Sequence, residues 1–241
     1  MNNILPHITL EIGKAPRHSI IWLHGLGADG EDFVPIAEEM NLPVAVRYIF
    51  PHAPEQPVTI NGGFVMRAWY DIVASDIAAQ QDSAGIRAAQ AAIEALIAQE
   101  IQRGIATENI YLAGFSQGGA MALHTGLRHP SRLGGIIALS CYLPLAETLA
   151  HEASPASRHI PIFMAHGRND PIVSYARGKV SAEALRTQGY QLEWHEYAMP
   201  HSVCMEEVRD VETWLTHQLK KGRPKDQASS TATVESSSTL R

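Results

Sequence analysis

The chain has 241 residues, 45% of them hydrophobic, and a formal charge of −6, which suits a single soluble domain able to bury a full core without disulfides or metal staples. A mildly acidic protein with no basic stripe has no electrostatic reason to seek nucleic acid. No apolar run approaches the ~18 residues needed for stable membrane insertion. The start at Met1 lacks signal-peptide regions, and Cys141 and Cys204 make no disulfide framework, so a reducing cytoplasm is expected.

Taken in order, His7 to Ile12 reads as an edge strand, Ser19 to His24 as a strand stopped by Gly25, and Val44 to Phe50 as a strand stopped by Pro51. Asp82 to Arg103 then carries Ile86, Ala89, Ile93, Leu96, Ile97 and Ile101 on one helical stripe. Asn109 to Phe115 is a strand, and Gln117 to Arg128 a helix with Pro130 just past its end. Gly135 to Ser140, Pro161 to His166 and Gln191 to Tyr197 are further strands; Ser174 to Gln188 and Cys204 to Lys220 are helices. Several strands are apolar on both faces, as buried parallel strands are. Alternating strands and helices predict an α/β fold, a mostly parallel central sheet with helices on both faces. From Gly222 the composition turns to Ser, Thr, Lys, Pro and Gln. Residues 1–221 are therefore read as one domain and 222–241 as a disordered tail.

The sharpest local signal is Gly114-Phe115-Ser116-Gln117-Gly118, a G-x-S-x-G between a strand and a helix. In that setting the pattern is a nucleophile elbow, and the following helix aims its N-terminus where negative charge develops. A plain glycine-rich turn is the bland alternative. A serine nucleophile needs a base, and the base an orienting acid, in the chain order Ser, acid, His. Asp170 lies in the loop Gly167-Arg168-Asn169-Asp170-Pro171 at the carboxyl end of a strand, although Asp-Pro is also an ordinary turn dipeptide. His201 follows the last strand in the loop Ala198-Met199-Pro200-His201. Of twelve histidines, His195 is its nearest rival but falls inside a strand. His166 closes a strand, and His124 and His129 belong to the helix behind the serine.

His24-Gly25-Leu26-Gly27-Ala28-Asp29-Gly30 contains a literal G-x-G-x-x-G. A dinucleotide site also needs a helix opening at the glycines and an acid near the end of the second strand. Neither is evident here, so the preferred reading is an oxyanion loop. The backbone N–H groups of Leu26 and Gln117 would be the donors. His24 would brace the loop or be a satisfied core histidine.

Together these segments resemble the phospholipase/carboxylesterase family of α/β-hydrolases, which includes acyl-protein thioesterases and bacterial carboxylesterases. The resemblance rests on His24 to Gly27, Phe50-Pro51-His52-Ala53-Pro54, Val58 to Gly63, Trp69-Tyr70-Asp71-Ile72, Gly114 to Gly119, Leu139 to Pro144, His166-Gly167 and Asp170 to Val173. It extends to about Leu219. It implies an α/β-hydrolase fold, small-ester, lysophospholipid or acyl-thioester substrates, and no metal or cofactor. It implies too that residues 62–71 line the acyl site, with Leu26 and Trp69 as apolar contacts; for Trp69 a core role is the alternative. The pattern departs at Pro200, where the family usually has glycine before the catalytic histidine. Proline fixes φ near −65°, so the expected loop accepts a negative φ there.

The expected function is a serine carboxylesterase acting on small to medium-chain esters through Ser116, Asp170 and His201. The alternatives are an acyl-protein thioesterase or lysophospholipase with the same triad, and an inactive α/β-hydrolase serving as a binding module. The partner is a small-molecule ester or thioester, and a homodimer is admitted.

Overall fold

The apolar runs become strands β1 (His7–Ile12), β2 (His18–Leu23), β3 (Val46–Pro51), β4 (Glu55–Val58), β5 (Phe64–Arg67), β6 (Ile110–Phe115), β7 (Gly135–Leu139), β8 (Ile162–Gly167) and β9 (Leu192–Tyr197). The helices are α1 (Val34–Glu39), α2 (Ser83–Gln102), α3 (Gln117–Arg128), α4 (Leu149–Glu152), α5 (Tyr175–Thr187) and α6 (Met205–Lys221). These assignments come from a computed structural model that describes residues 4–74 and 80–221. The tail expected at 222–241 lies outside the described residues. Among them, no helix is long and apolar enough to cross a membrane.

Seven strands form one sheet in the order β1-β3-β2-β6-β7-β8-β9. Only β1 runs antiparallel to its neighbour; every other pair is parallel. Boundaries read from the sequence shift by one or two residues. Val44 to Phe50, for example, becomes Val46–Pro51. Pro51 is tolerated because β2 pairs with β3 only as far as Ile49, so its missing N–H lies beyond that ladder. The β4–β5 hairpin was not expected. No element is read from the sequence between Pro51 and Asp82; a two-stranded ribbon leaves each strand an open edge, which accepts Pro57.

Strand alternation sorts the core into two layers. Ile21 and Leu23 face α2, α3 and α5 through Ile93, Leu123 and Leu185. Ile20 and Trp22 face the other side, where Ala37, Val211 and Leu215 come from α1 and α6. Helix α3 is buried along its whole length. Its Gly126 sits where a Cβ would come 2.6 Å from the Ile136 side chain, which lets the helix press onto β7.

Helix α6 also carries a fully buried acid. Burial pushes Glu207 from its ordinary 4.5 up to about 8, with Asp210 adding to the rise and the Cys204 backbone opposing it. Its folded value is raised, so between these limits the folded state holds a proton that the unfolded chain releases. Stability therefore falls as pH rises from about 5 to about 8, and the penalty is complete above that. Thermal melting should show this slope, worth on the order of 5 kcal/mol at most. Glu207→Gln should flatten it. An equally steep slope in the Gln variant would assign the titration elsewhere.

Candidate active site

The carboxyl ends of β2, β6, β7, β8 and β9 stop nearly level. Leu23 pairs with Gly114, Phe115 with Leu139, Leu139 with Ala165, and Gly167 with Tyr197. The loops that follow bring distant residues to one edge, as α/β sheets do. Ser116 occupies the turn between β6 and α3 with φ 55° and ψ −122°. Such backbone costs a non-glycine residue about 1–3 kcal/mol. Here it is held by Ser116 N–H donating to the Leu139 carbonyl at 2.8 Å. The flanking glycines are steric requirements. A Cβ on Gly114 would lie 2.3 Å from the Gly118 carbonyl carbon, and one on Gly118 would lie 2.2 Å from the Leu23 oxygen.

His201 stands between Ser116 and Asp170. Its Nε2 is 2.9 Å from Ser116 Oγ and its Nδ1 is 2.7 Å from Asp170 Oδ2. The Asp170 side chain is shielded from solvent, and its Oδ1 accepts the Ile172 and Val173 amides at 2.8 and 2.9 Å. The turn that Asp-Pro makes is thus also what fixes the carboxylate. The carboxylate accepts Nδ1–H, which leaves the Nε2 lone pair facing the serine hydroxyl. His166 supports this loop: its Nε2 lies 2.8 Å from the Val173 carbonyl and 3.5 Å from Asp170 Oδ2, and burial lowers its pKa. The His201 ring packs on Phe115 with centroids 4.7 Å apart. His195, the rival, is turned elsewhere. It stacks on Phe163 and approaches Asp210 at 3.3 Å.

Pro200 does not displace His201. Among the described residues, none from 199 to 203 has a positive φ. The close approach falls instead at Gly167, where a Cβ would lie 2.4 Å from the Met199 oxygen and 2.5 Å from that of Pro200. Pro200→Gly should keep kcat/KM within about tenfold and loosen the unfolded chain, at a cost of roughly 0.4–1 kcal/mol. That corresponds to a melting temperature lower by about 1–4 °C. A large gain in kcat would instead show that proline holds His201 off Ser116.

The loop after β2 is braced from several sides. Ala53 N–H donates to His24 Nε2 at 3.0 Å, so the ring proton sits on Nδ1 and is given to the Gly25 carbonyl at 2.7 Å. Burial lowers the His24 pKa, which favours this neutral form. Trp69 Nε1 donates to the His24 carbonyl at 2.9 Å, and Gly27 N–H to that of Arg67 at 2.8 Å. Among the described residues, the backbone N–H groups of Leu26 and Gln117 make no hydrogen bond. They belong to the loop and to the first turn of α3. The glycine motif opens no helix, since α1 begins at Val34. Gly27 has φ +76°, and a Cβ on Gly30 would meet the Phe50 oxygen at 2.5 Å. The glycines therefore serve a turn and a close backbone approach.

A cleft of about 240 Å³ opens over Ser116 and is lined by Leu26, Gln117, His201, Ile172, Tyr70 and Tyr142, among others. Of the two apolar contacts expected there, Leu26 lines it and Trp69 does not. Trp69 is 2% exposed and sits behind the loop, its backbone N–H bound to Gln117 Oε1. Tyr70, Ile172 and Tyr142 were not singled out beforehand, although each lies in a segment that carried the family resemblance.

The sequence profile described as Phospholipase/Carboxylesterase matches residues 7–219. Acyl-protein thioesterase 1 of Gibberella zeae is 42% identical over 218 residues, covering 85% of this chain and 93% of that one. A probable carboxylesterase of Oryza sativa subsp. japonica is 35% identical, covering 87% and 81%. The crystal structure of Zea mays acyl-protein thioesterase 2 superposes with a TM-score of 0.78 at 30% identity, covering 88% of this chain and 99% of that one. Arabidopsis thaliana SOBER1 gives 0.79 at 32% identity, covering 84% and 99%. The glycine-flanked serine, the sheet that presents it and these likenesses lead to one conclusion: the chain belongs to the phospholipase/carboxylesterase family, has the α/β-hydrolase fold, and is a hydrolase acting on esters.

Proposed function

We propose that the chain is a serine carboxylesterase for small to medium-chain esters, working through an acyl-enzyme on Ser116. The observation that carries this reading is His201 bridging Ser116 and Asp170 at 2.9 and 2.7 Å. Ser116 Oγ attacks the ester carbonyl as its proton passes to His201 Nε2. Asp170 keeps His201 in the useful tautomer and stabilises its cation. The amides of Leu26 and Gln117 receive the oxyanion, aided by the N-terminus of α3. The proton on Nε2 then goes to the leaving alcohol. Water repeats the sequence with His201 as base and releases the carboxylic acid. A catalytically inactive binding module would not need this complete arrangement. The free thiols of Cys141 and Cys204 fit a reducing compartment, the cytoplasm.

Several relatives are named acyl-protein thioesterase 1, which favours a second reading, hydrolysis of S-acylated protein by the same triad. The cleft volume favours shorter acyl groups. The test is kcat/KM for butanoyl, octanoyl and dodecanoyl esters beside an S-acylated peptide. The best ester should have a butanoyl or octanoyl group. A peptide thioester preferred over every ester by about a hundredfold, some 3 kcal/mol, would move the assignment to protein deacylation.

A further inference from the structure

Two cavities meet at one side chain. The cleft over Ser116 measures about 240 Å³. A second cavity, about 340 Å³, lies between the segment after β7 and helix α5, with Leu143, Ala146, Val180 and Ala184 in its walls. Among the described residues, Tyr142 is the one that lines both. Its position is fixed from several directions. Its hydroxyl lies 2.6 Å from that of Tyr70. The Arg177 guanidinium, in the wall of the second cavity, sits 5.9 Å from the ring centroid. The next amide, of Leu143, donates to Ser181 Oγ on α5 at 2.9 Å. Tyr70 is itself held, because its carbonyl accepts Gln117 Nε2 at 2.7 Å. Burial raises both phenols, Tyr142 to about 12, so both stay neutral at working pH.

We propose that Tyr142, pinned by Tyr70, is the specificity-determining wall of the acyl site, ending the cleft at short to medium chains and shutting off the apolar cavity behind it. The proposal rests on the ester-hydrolase reading of the Ser116 cleft. At about 30 Å³ per water-sized group, that cleft holds roughly eight such groups. A butanoyl or hexanoyl group with its ester linkage fills it, and a dodecanoyl chain overruns it. Opening the wall would more than double the room and offer the added length an apolar lining. Each methylene placed there leaves water for an apolar surface, which favours the longer chain.

The test is kcat/KM for butanoyl, octanoyl and dodecanoyl esters, read as the dodecanoyl-to-butanoyl ratio. Tyr142→Ala should raise that ratio at least about tenfold, whereas Tyr142→Phe, which keeps the ring, should move it only about threefold. Adding Ala184→Trp to Tyr142→Ala fills the second cavity and should return the ratio to its original value. An unmoved ratio in Tyr142→Ala, or a gain that survives Ala184→Trp, overturns the proposal. Thermal melting checks that Tyr142→Ala is folded, and Tyr142→Leu takes its place if it is not. If the unaltered protein cleaves none of the esters, the ester reading fails instead. The wall is then read by titrating dodecanoate calorimetrically: binding about tenfold tighter to Tyr142→Ala supports it, and equal affinity overturns it.

Discussion

Ser116→Ala is expected to lower kcat on a butanoyl ester by roughly 10⁶ while leaving the fold intact. The substitution removes one oxygen, the atom 2.9 Å from His201 Nε2. Alanine keeps the Cβ and the same backbone strain, so the turn between β6 and α3 has no new reason to move. What remains is the binding cleft and the two amides at Leu26 and Gln117. Such a remnant still outpaces water by about 10³–10⁴. An active-site phosphonate should add once per chain, and peptide mapping should find it on Ser116. Labelling at another residue, or near-normal turnover by Ser116→Ala, would move the nucleophile elsewhere. Cys141 is a poor candidate, because it is buried and burial pushes its thiol pKa far up.

The layout of this site was legible in the sequence because chain order and strand ends carry it. Strands β2, β6, β7 and β8 are short and apolar on both faces, so their ends were visible to within two residues. Those ends placed Ser116, Asp170 and His201 at one edge before any distance was known. His201 was separable from His195 by the same reasoning, since a residue inside β9 cannot reach the loop edge. Sequence was weaker where side-chain direction decides. Trp69 and Tyr70 are neighbours in the chain, yet Tyr70 lines the cleft and Trp69 braces the loop behind it. The pairing of Tyr70 with Tyr142 spans 72 positions, and no local pattern announces it. The hairpin β4–β5 was hidden by Pro57 and paired glycines, which mark turns more often than ribbons. At Pro200 the departure from the family pattern raised the question of a positive φ. The structure puts the steric demand at Gly167 instead.

Asp170→Asn should lower kcat by about 10²–10⁴ with little change in KM, and the structure supplies the reason. In the unaltered protein Oδ1 accepts two backbone amides, from Ile172 and Val173, while Oδ2 accepts His201 Nδ1–H. An asparagine must turn its carbonyl toward the two amides, because its NH₂ can donate to neither. The NH₂ then faces His201 Nδ1, which has to become an acceptor. The ring proton moves to Nε2, the nitrogen that must take the serine proton, and the base is silenced without being displaced. His201→Ala removes the base outright and should be almost as inactive as Ser116→Ala, with the double variant little worse, because members of such a unit do not add. The readouts are kcat and KM for each variant, together with the imidazole nitrogen shifts of His201 by NMR. These should report Nδ1–H in the unaltered protein and Nε2–H in Asp170→Asn. Full activity in His201→Ala, or a dead His195→Ala beside it, would transfer the role of base to the other histidine.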